Sequence, residues 1–142
     1  MAAGHVVQVV HGKTTSFTSI TSTSPVATGI TATITPTSTS SKILILASTN
    51  GIYKGSGNTF MRTKIYRNLS LAFYVQEIAA YNNATGANSG NVMSHHLDSP
   101  SSTSALTYEI YAALNGAGTV HFNNQNAGRT MESGITLMEI AQ

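Results

Sequence analysis

The run Ile-Thr-Ala-Thr-Ile-Thr-Pro-Thr-Ser-Thr-Ser-Ser-Lys-Ile-Leu-Ile-Leu-Ala, residues 30–47, constrains the fold more than any other stretch of this chain. Its first half alternates strictly. Ile30, Ala32 and Ile34 fall on one side, and Thr31, Thr33 and Thr35 on the other. That is the period of a β-strand, and β-branched residues suit both of its faces. Pro36 has no N–H to donate and ends the pairing. The second half, Ile43 to Ala47, is apolar at both parities, so both faces of that strand should be covered.

Similar segments recur along the sequence with turn signals between them. His5–Val10, Thr15–Ile20, Phe60–Tyr66, Leu71–Val75, Asn91–Leu97, Ala105–Leu114, Thr119–Phe122 and Gly134–Ile140 read as further strands. Gly12-Lys13, Ser22 to Pro25, Asn50-Gly51, Gly55 to Asn58, Arg67 to Ser70, Asn82 to Gly90 and Asp98 to Ser104 read as breaks or turns. Asn115-Gly116 reads as a tight hairpin turn. Glu77 to Tyr81 is either one helical turn or the end of a strand. The spacing predicts an all-β chain, an antiparallel sandwich or jelly roll of about eight to ten strands. At 142 residues one domain, 1–142, is expected.

Composition narrows the function classes. There is no cysteine, which removes disulfides, thiolate metal sites and Cys nucleophiles. No apolar run approaches the roughly 20 residues of a membrane span. The opening residues lack the pattern of a signal peptide, so the mature chain is expected to begin at Met1 or Ala2. Charged residues make up 8% of the chain, against about 25% in an ordinary domain. The net charge of +2 is carried by scattered cations and makes no basic patch. Low charge is tolerable in a chain packed into an assembly. Val6–Val10, Leu106–Leu114 and Ile135–Ile140 are apolar at both parities, so their outward faces need a cover. In a small chain without helices the expected cover is another copy; the alternative is central strands with a few exposed apolar residues, which are common.

Catalytic and ligand-binding patterns are weak. Glu77, Glu109 and Glu139 lie in or beside apolar strands, and none is spaced to form a catalytic pair with another carboxylate. His95 and His96 precede Asp98, but neighbours on a strand point to opposite faces. One histidine per chain on a three-fold axis could form a three-His metal site, although surface histidines are the default. No Gly-x-Ser-x-Gly elbow occurs, and Gly116-Ala-Gly118 lacks the context of a phosphate loop. Arg62, Lys64, Tyr66 and Arg67 on one hairpin are too few for nucleic acid. Asn68-Leu-Ser70 and Asn83-Ala-Thr85 match glycosylation sequons. The chain is read as non-enzymatic, with no cofactor, nucleic acid or membrane partner.

Three segments together resemble a family of small jelly-roll virion proteins of tailed bacteriophages. They are Val-Val-Gln-Val-Val (Val6–Val10) with the Thr/Ser-rich strand after it, the run Ile34–Leu46, and Leu97-Asp-Ser-Pro100 with Thr103–Tyr108 and the ending Gly134–Ala141. The resemblance implies a trimeric fold like that of tumour necrosis factor, with the first and last strands facing the axis. It transfers no catalytic or binding residue. The trimer interface is then expected at Val6, Gln8, Val10, Glu109, Tyr111, Leu137 and Glu139.

Two roles follow from the resemblance. One is a homotrimeric capsid decoration (cement) protein on the outer surface of the virion, bridging copies of the major capsid protein. The other is the tip of a tail fibre that recognises host glycans through residues 50–58, 82–91 and 123–129. The first is preferred, because strands begin and end close to the two ends of the sequence and leave no stalk.

Overall fold

The computed structural model describes residues 3–56, 58–79, 88–123 and 130–142. Ten strands run through them: β1 (Val6–Thr14), β2 (Thr18–Ile20), β3 (Val26–Ile34), β4 (Lys42–Ser56), β5 (Met61–Arg67), β6 (Ser70–Ala79), β7 (Asn88–Asp98), β8 (Leu106–Leu114), β9 (Thr119–Phe122) and β10 (Ser133–Ile140). They form two antiparallel sheets. The larger has the order β1-β10-β4-β9-β2, with β7 on the other side of β4; the smaller has the order β3-β8-β5-β6. This is an all-β antiparallel jelly roll, as the strand spacing predicted.

The core lies between the sheets. Ile43, Ile45 and Ala47 of β4 and Ile135 and Leu137 of β10 enter it from the larger sheet. Ile30, Ile34, Met61, Ile65, Tyr108 and Ile110 enter it from the smaller one. Each fully buried aliphatic side chain contributes about 1.5–3 kcal/mol relative to exposure. The alternation in residues 30–35 has its expected consequence: Ile30, Ala32 and Ile34 are buried, and Thr31, Thr33 and Thr35 are exposed.

Three turn assignments need correction. Gly12 does not break β1, which continues to Thr14. Gly12 is where β1 closes onto β3: an added Cβ would stand 1.8 Å from the Thr31 carbonyl oxygen. Asn50-Gly51 is not a loop but an irregularity inside β4, where the pairing with β7 shifts between Thr49 and Ile52 and Gly51 takes φ 59°. Asn115-Gly116 does not close a hairpin. β8 belongs to the smaller sheet and β9 to the larger, so the segment arches from one sheet to the other. A hairpin signal reports local chain reversal and carries no information about which sheet the next strand joins. Glu77 lies within β6, which continues to Ala79, rather than in a helical turn.

The Pro36–Ser41 segment also carries the chain between sheets, and β10 holds it there. The Glu139 carboxylate accepts hydrogen bonds from Thr37 N (2.8 Å), Thr37 Oγ1 (2.7 Å) and Gln8 Nε2 (2.6 Å). Gln8 Nε2 also donates to the Thr35 carbonyl at 2.8 Å. Burial pushes the Glu139 acid up, but the bonds from Gln8, Ser41 and Thr37 outweigh it and bring its pKa down to about 2. On the same inward row, across Ile43 of β4, Asp98 of β7 accepts from Arg67 Nη1 of β5 (2.5 Å) and from Tyr108 Oη of β8 (2.7 Å). This polar staple joins the two sheets. Burial, followed by the Asp98 carboxylate, raises the Tyr108 hydroxyl above its ordinary pKa.

Candidate functional site

Pairing register identifies the outward face of the larger sheet. Directly paired residues share a face, so a row can be followed from strand to strand. Val9 of β1 pairs with Met138 of β10, Met138 with Leu44 of β4, and Leu44 with Leu97 of β7. All four are apolar, and all point away from the core. Beside this row Val6 pairs with Ile140, and Ile140 with Lys42. On the other side the row His11, Thr136, Leu46, His95 follows. Beyond it come Lys13, Gly134, Ser48 and Met93.

The result is an apolar band four strands wide that grades into a polar margin. Val6, Val9, Leu46, Met93 and Leu97 are the exposed large aliphatic side chains of this face, with Met93 at 82%. In the margin, His11 Nδ1 lies 2.9 Å from Thr136 Oγ1, and Lys13 pairs with Glu132 at 2.8 Å. A depression of about 300 Å³ lies in it, walled by His11, Leu46, Met93, His95 and Thr136. Removing the rest of each exposed aliphatic from water is worth about 1 kcal/mol per side chain, or on the order of 5 kcal/mol for the five. That is of the size needed to offset part of the entropy of association. Monomers rarely leave such contiguous apolar surface open.

The expected interface residues do not come together on this band. Val6 is on it. Val10 packs against the core and Gln8 turns to Glu139. Leu137 and Glu139 are fully buried between the sheets and cannot meet a partner. Glu109 and Tyr111 do point outward, but from the smaller sheet, on the opposite side of the sandwich. Simple alternation puts Val6, Gln8 and Val10 on one face. A register shift between Val6 and Gln8 breaks that parity, so that Val6 shares the outer face with Val9. In β10 both parities are apolar, and hydrogen bonding draws the charged Glu139 inward rather than out.

The sequence did contain a pointer to this band. Ile43–Ala47 is apolar at both parities, and its second parity, Leu44 and Leu46, is the centre of the band.

His95 and His96 point to opposite faces of β7: His95 pairs with outward Leu46, and His96 with buried Ile45. Among the described residues no group of three or more His, Asp or Glu side chains is placed to hold a metal ion. Of the segments expected to bind glycans, 82–87 and 124–129 lie outside the described residues, and residues 50–56 belong to β4.

Neither a protein-family model nor a curated protein matches the sequence. Solved structures with a similar fold include Eiger, a TNF from S. frugiperda, at 12% identity and a TM-score of 0.47, covering 94% of this chain and 92% of that one. The VP2 subviral particle of infectious bursal disease virus is similar at 9% identity and a TM-score of 0.46, covering 96% of this chain and 38% of that one. Latent PorU from Porphyromonas gingivalis is similar at 9% identity and a TM-score of 0.39, over 99% of this chain and 14% of that one. The chain thus spans well under half the length of VP2 and of PorU. These likenesses concern the fold, which is an all-β antiparallel jelly roll with a TNF-like neighbour.

Proposed function

We propose that this chain is a structural virion protein: a homotrimeric capsid decoration protein that bridges major capsid subunits on the outer surface of a phage head. The observation that supports assembly is the apolar band Val9-Met138-Leu44-Leu97 with its neighbours Val6, Ile140 and Leu46. In a chain with 8% charged residues and a hydroxyl-rich surface, a second and third copy are the natural cover for it. The capsid role comes from the sequence resemblance. In this reading the trimer makes many modest contacts with the shell, and three linked contacts hold far more tightly than one. The work is mechanical, adding buried area between capsomers, and calls for no catalytic group, nucleic acid or membrane.

Light scattering coupled to gel filtration tests the assembly. The wild-type chain should elute as a trimer, and Val9→Lys or Leu97→Lys as a folded monomer. A wild-type chain that stays monomeric at micromolar concentration would overturn the trimer. A particle reconstruction tests the location: a decoration protein gives density over the whole shell in hundreds of copies, whereas a shell without this chain excludes the capsid role.

A further inference from the structure

We propose that the outer face of the β3-β8-β5-β6 sheet carries a binding site for a neutral sugar, built by Tyr66, Asn68, Leu69, Thr107, Glu109 and Tyr111. This face lies opposite the apolar band, so the site is independent of the trimer and stays open if the trimer forms. The six residues line a depression of about 280 Å³. That is near the lower end of the roughly 300–1,000 Å³ of ligand pockets, and suits one or two sugar rings.

The chemistry of its walls is mixed in the way a sugar requires. Tyr66 and Tyr111 stack with ring centroids 4.0 Å apart and planes 22° apart, giving a rigid aromatic wall for the C–H face of a pyranose. Glu109 stands beside the tyrosine pair: it pairs with Tyr66 of β5 and shares the outward side of β8 with Tyr111. Gly29 N holds Glu109 Oε1 at 3.3 Å, and the carboxylate keeps acceptor capacity for ligand hydroxyls. The Asn68 Oδ1 accepts from Thr107 N at 2.8 Å, which leaves the two Nδ2 hydrogens as donors. Thr107 Oγ1 and Thr33 Oγ1, 2.8 Å apart, extend the hydroxyl edge. Glu109 and, beside Tyr111, Lys64 give this face one charge of each sign, so nothing favours a charged ligand and the sugar proposed is neutral.

The turn that closes the site is the two-residue hairpin between β5 and β6. Asn68 and Leu69 have φ of 49° and 67°. Asparagine tolerates that region, but a leucine there is strained. Leu69 is also 80% exposed, so core packing does not explain its presence. Hydrogen bonds tie the turn to β8, Asn68 N to the Thr107 carbonyl (2.8 Å) and Thr107 N to Asn68 Oδ1. The turn is thereby fixed with Leu69 as the apolar lip of the depression. A two-residue hairpin turn needs positive φ at both positions, so the β5–β6 pairing sets the conformation, and it places a leucine, rather than the usual glycine, beside the depression.

Titration of the isotopically labelled full chain with maltose, lactose, cellobiose and N,N′-diacetylchitobiose, followed by carbon–proton NMR, tests the site. At least one disaccharide should shift the Tyr66 and Tyr111 ring signals and the Leu69 methyls, with a Kd in the millimolar range. Tyr111→Ala should weaken that sugar about tenfold or more, and Glu109→Gln about fivefold. Leu69→Gly relieves the turn and should weaken binding about threefold while leaving the melting temperature unchanged or higher. If Tyr111→Ala fails to fold, Glu109→Gln and Leu69→Gly decide the matter. No shift with any of the four sugars overturns the proposal, as do shifts confined to another face. Self-association of the wild type that Leu69→Gly abolishes would make this a protein contact and overturn it equally.

Discussion

Replacing Glu139 by glutamine should loosen the connection between the sheets in a manner that depends on pH. In the wild type the carboxylate gathers donors from β1 and from the 36–41 crossing, Gln8 Nε2 at 2.6 Å and Thr37 N and Oγ1 at 2.8 and 2.7 Å. Hydrogen bonds to an ionised group contribute about 1.5–3 kcal/mol each, neutral ones about 1. The amide keeps one acceptor for Thr37 but sets its own N–H against the N–H of Gln8. The expected loss at neutral pH is about 2–3 kcal/mol, or about 5–10 °C in melting temperature for a chain of this size. Linkage gives an independent figure. The folded pKa of about 2 lies below the ordinary value of 4.5, so the carboxylate's contribution is complete above pH 4.5 and disappears as pH falls towards 2. A shift of that size corresponds to at most about 3 kcal/mol; the side chain exposes no surface, but it lies one residue from the end of β10, and solvent just beyond screens the charge and reduces this to about 2. Urea denaturation at a fixed protomer concentration, repeated from neutral pH down to acid, reads both numbers. The wild-type and Glu139→Gln curves should be separated at neutral pH and converge as the pH falls through that window. A constant separation down to the lowest pH would refute the role given to the charge.

Other substitutions probe the remaining joints. Asp98→Ala leaves the Tyr108 hydroxyl buried without its acceptor and frees Arg67, and should cost about 2–3 kcal/mol by the same denaturation assay, with Tyr108→Phe costing only about 1. Gly12→Ala drives a methyl into the Thr31 carbonyl and should destabilise by at least about 2 kcal/mol, read as a lower thermal midpoint. Leu137→Glu should unfold the protomer rather than dissociate it, because an unpaired charge in the core costs more than about 4 kcal/mol; circular dichroism would show the loss of sheet. Tyr111→Glu should leave the oligomeric state unchanged in gel filtration, since Tyr111 lies on the sheet opposite the apolar band.

Local chemistry explains which parts of this fold could be read early. Residues 30–35 alternate because a strand exposes alternate side chains to core and water, and that rule needs no knowledge of partners. The existence of outward apolar surface was legible for the same reason, from strands apolar at both parities. The turn signals were less informative. Asn50-Gly51 and Asn115-Gly116 mark backbone freedom, and the fold uses the first as an irregularity within β4 and the second as an arch between sheets.

By itself, then, the sequence determined that the chain is all-β, cysteine-free and poor in charge, with strands that need covering on both sides. The tertiary structure decided which side is which. The register shift in β1 exchanges the parity of Val6 relative to Gln8, and the pairing of β10 with β1 turns Glu139 towards Gln8. The order of strands sends β8, with Glu109 and Tyr111, to the far sheet. Those outcomes depend on pairings such as that of Gln8 with Glu139, 131 positions apart. A single strand's pattern is set by its own side chains, but a shared face exists only once the strands have found their neighbours.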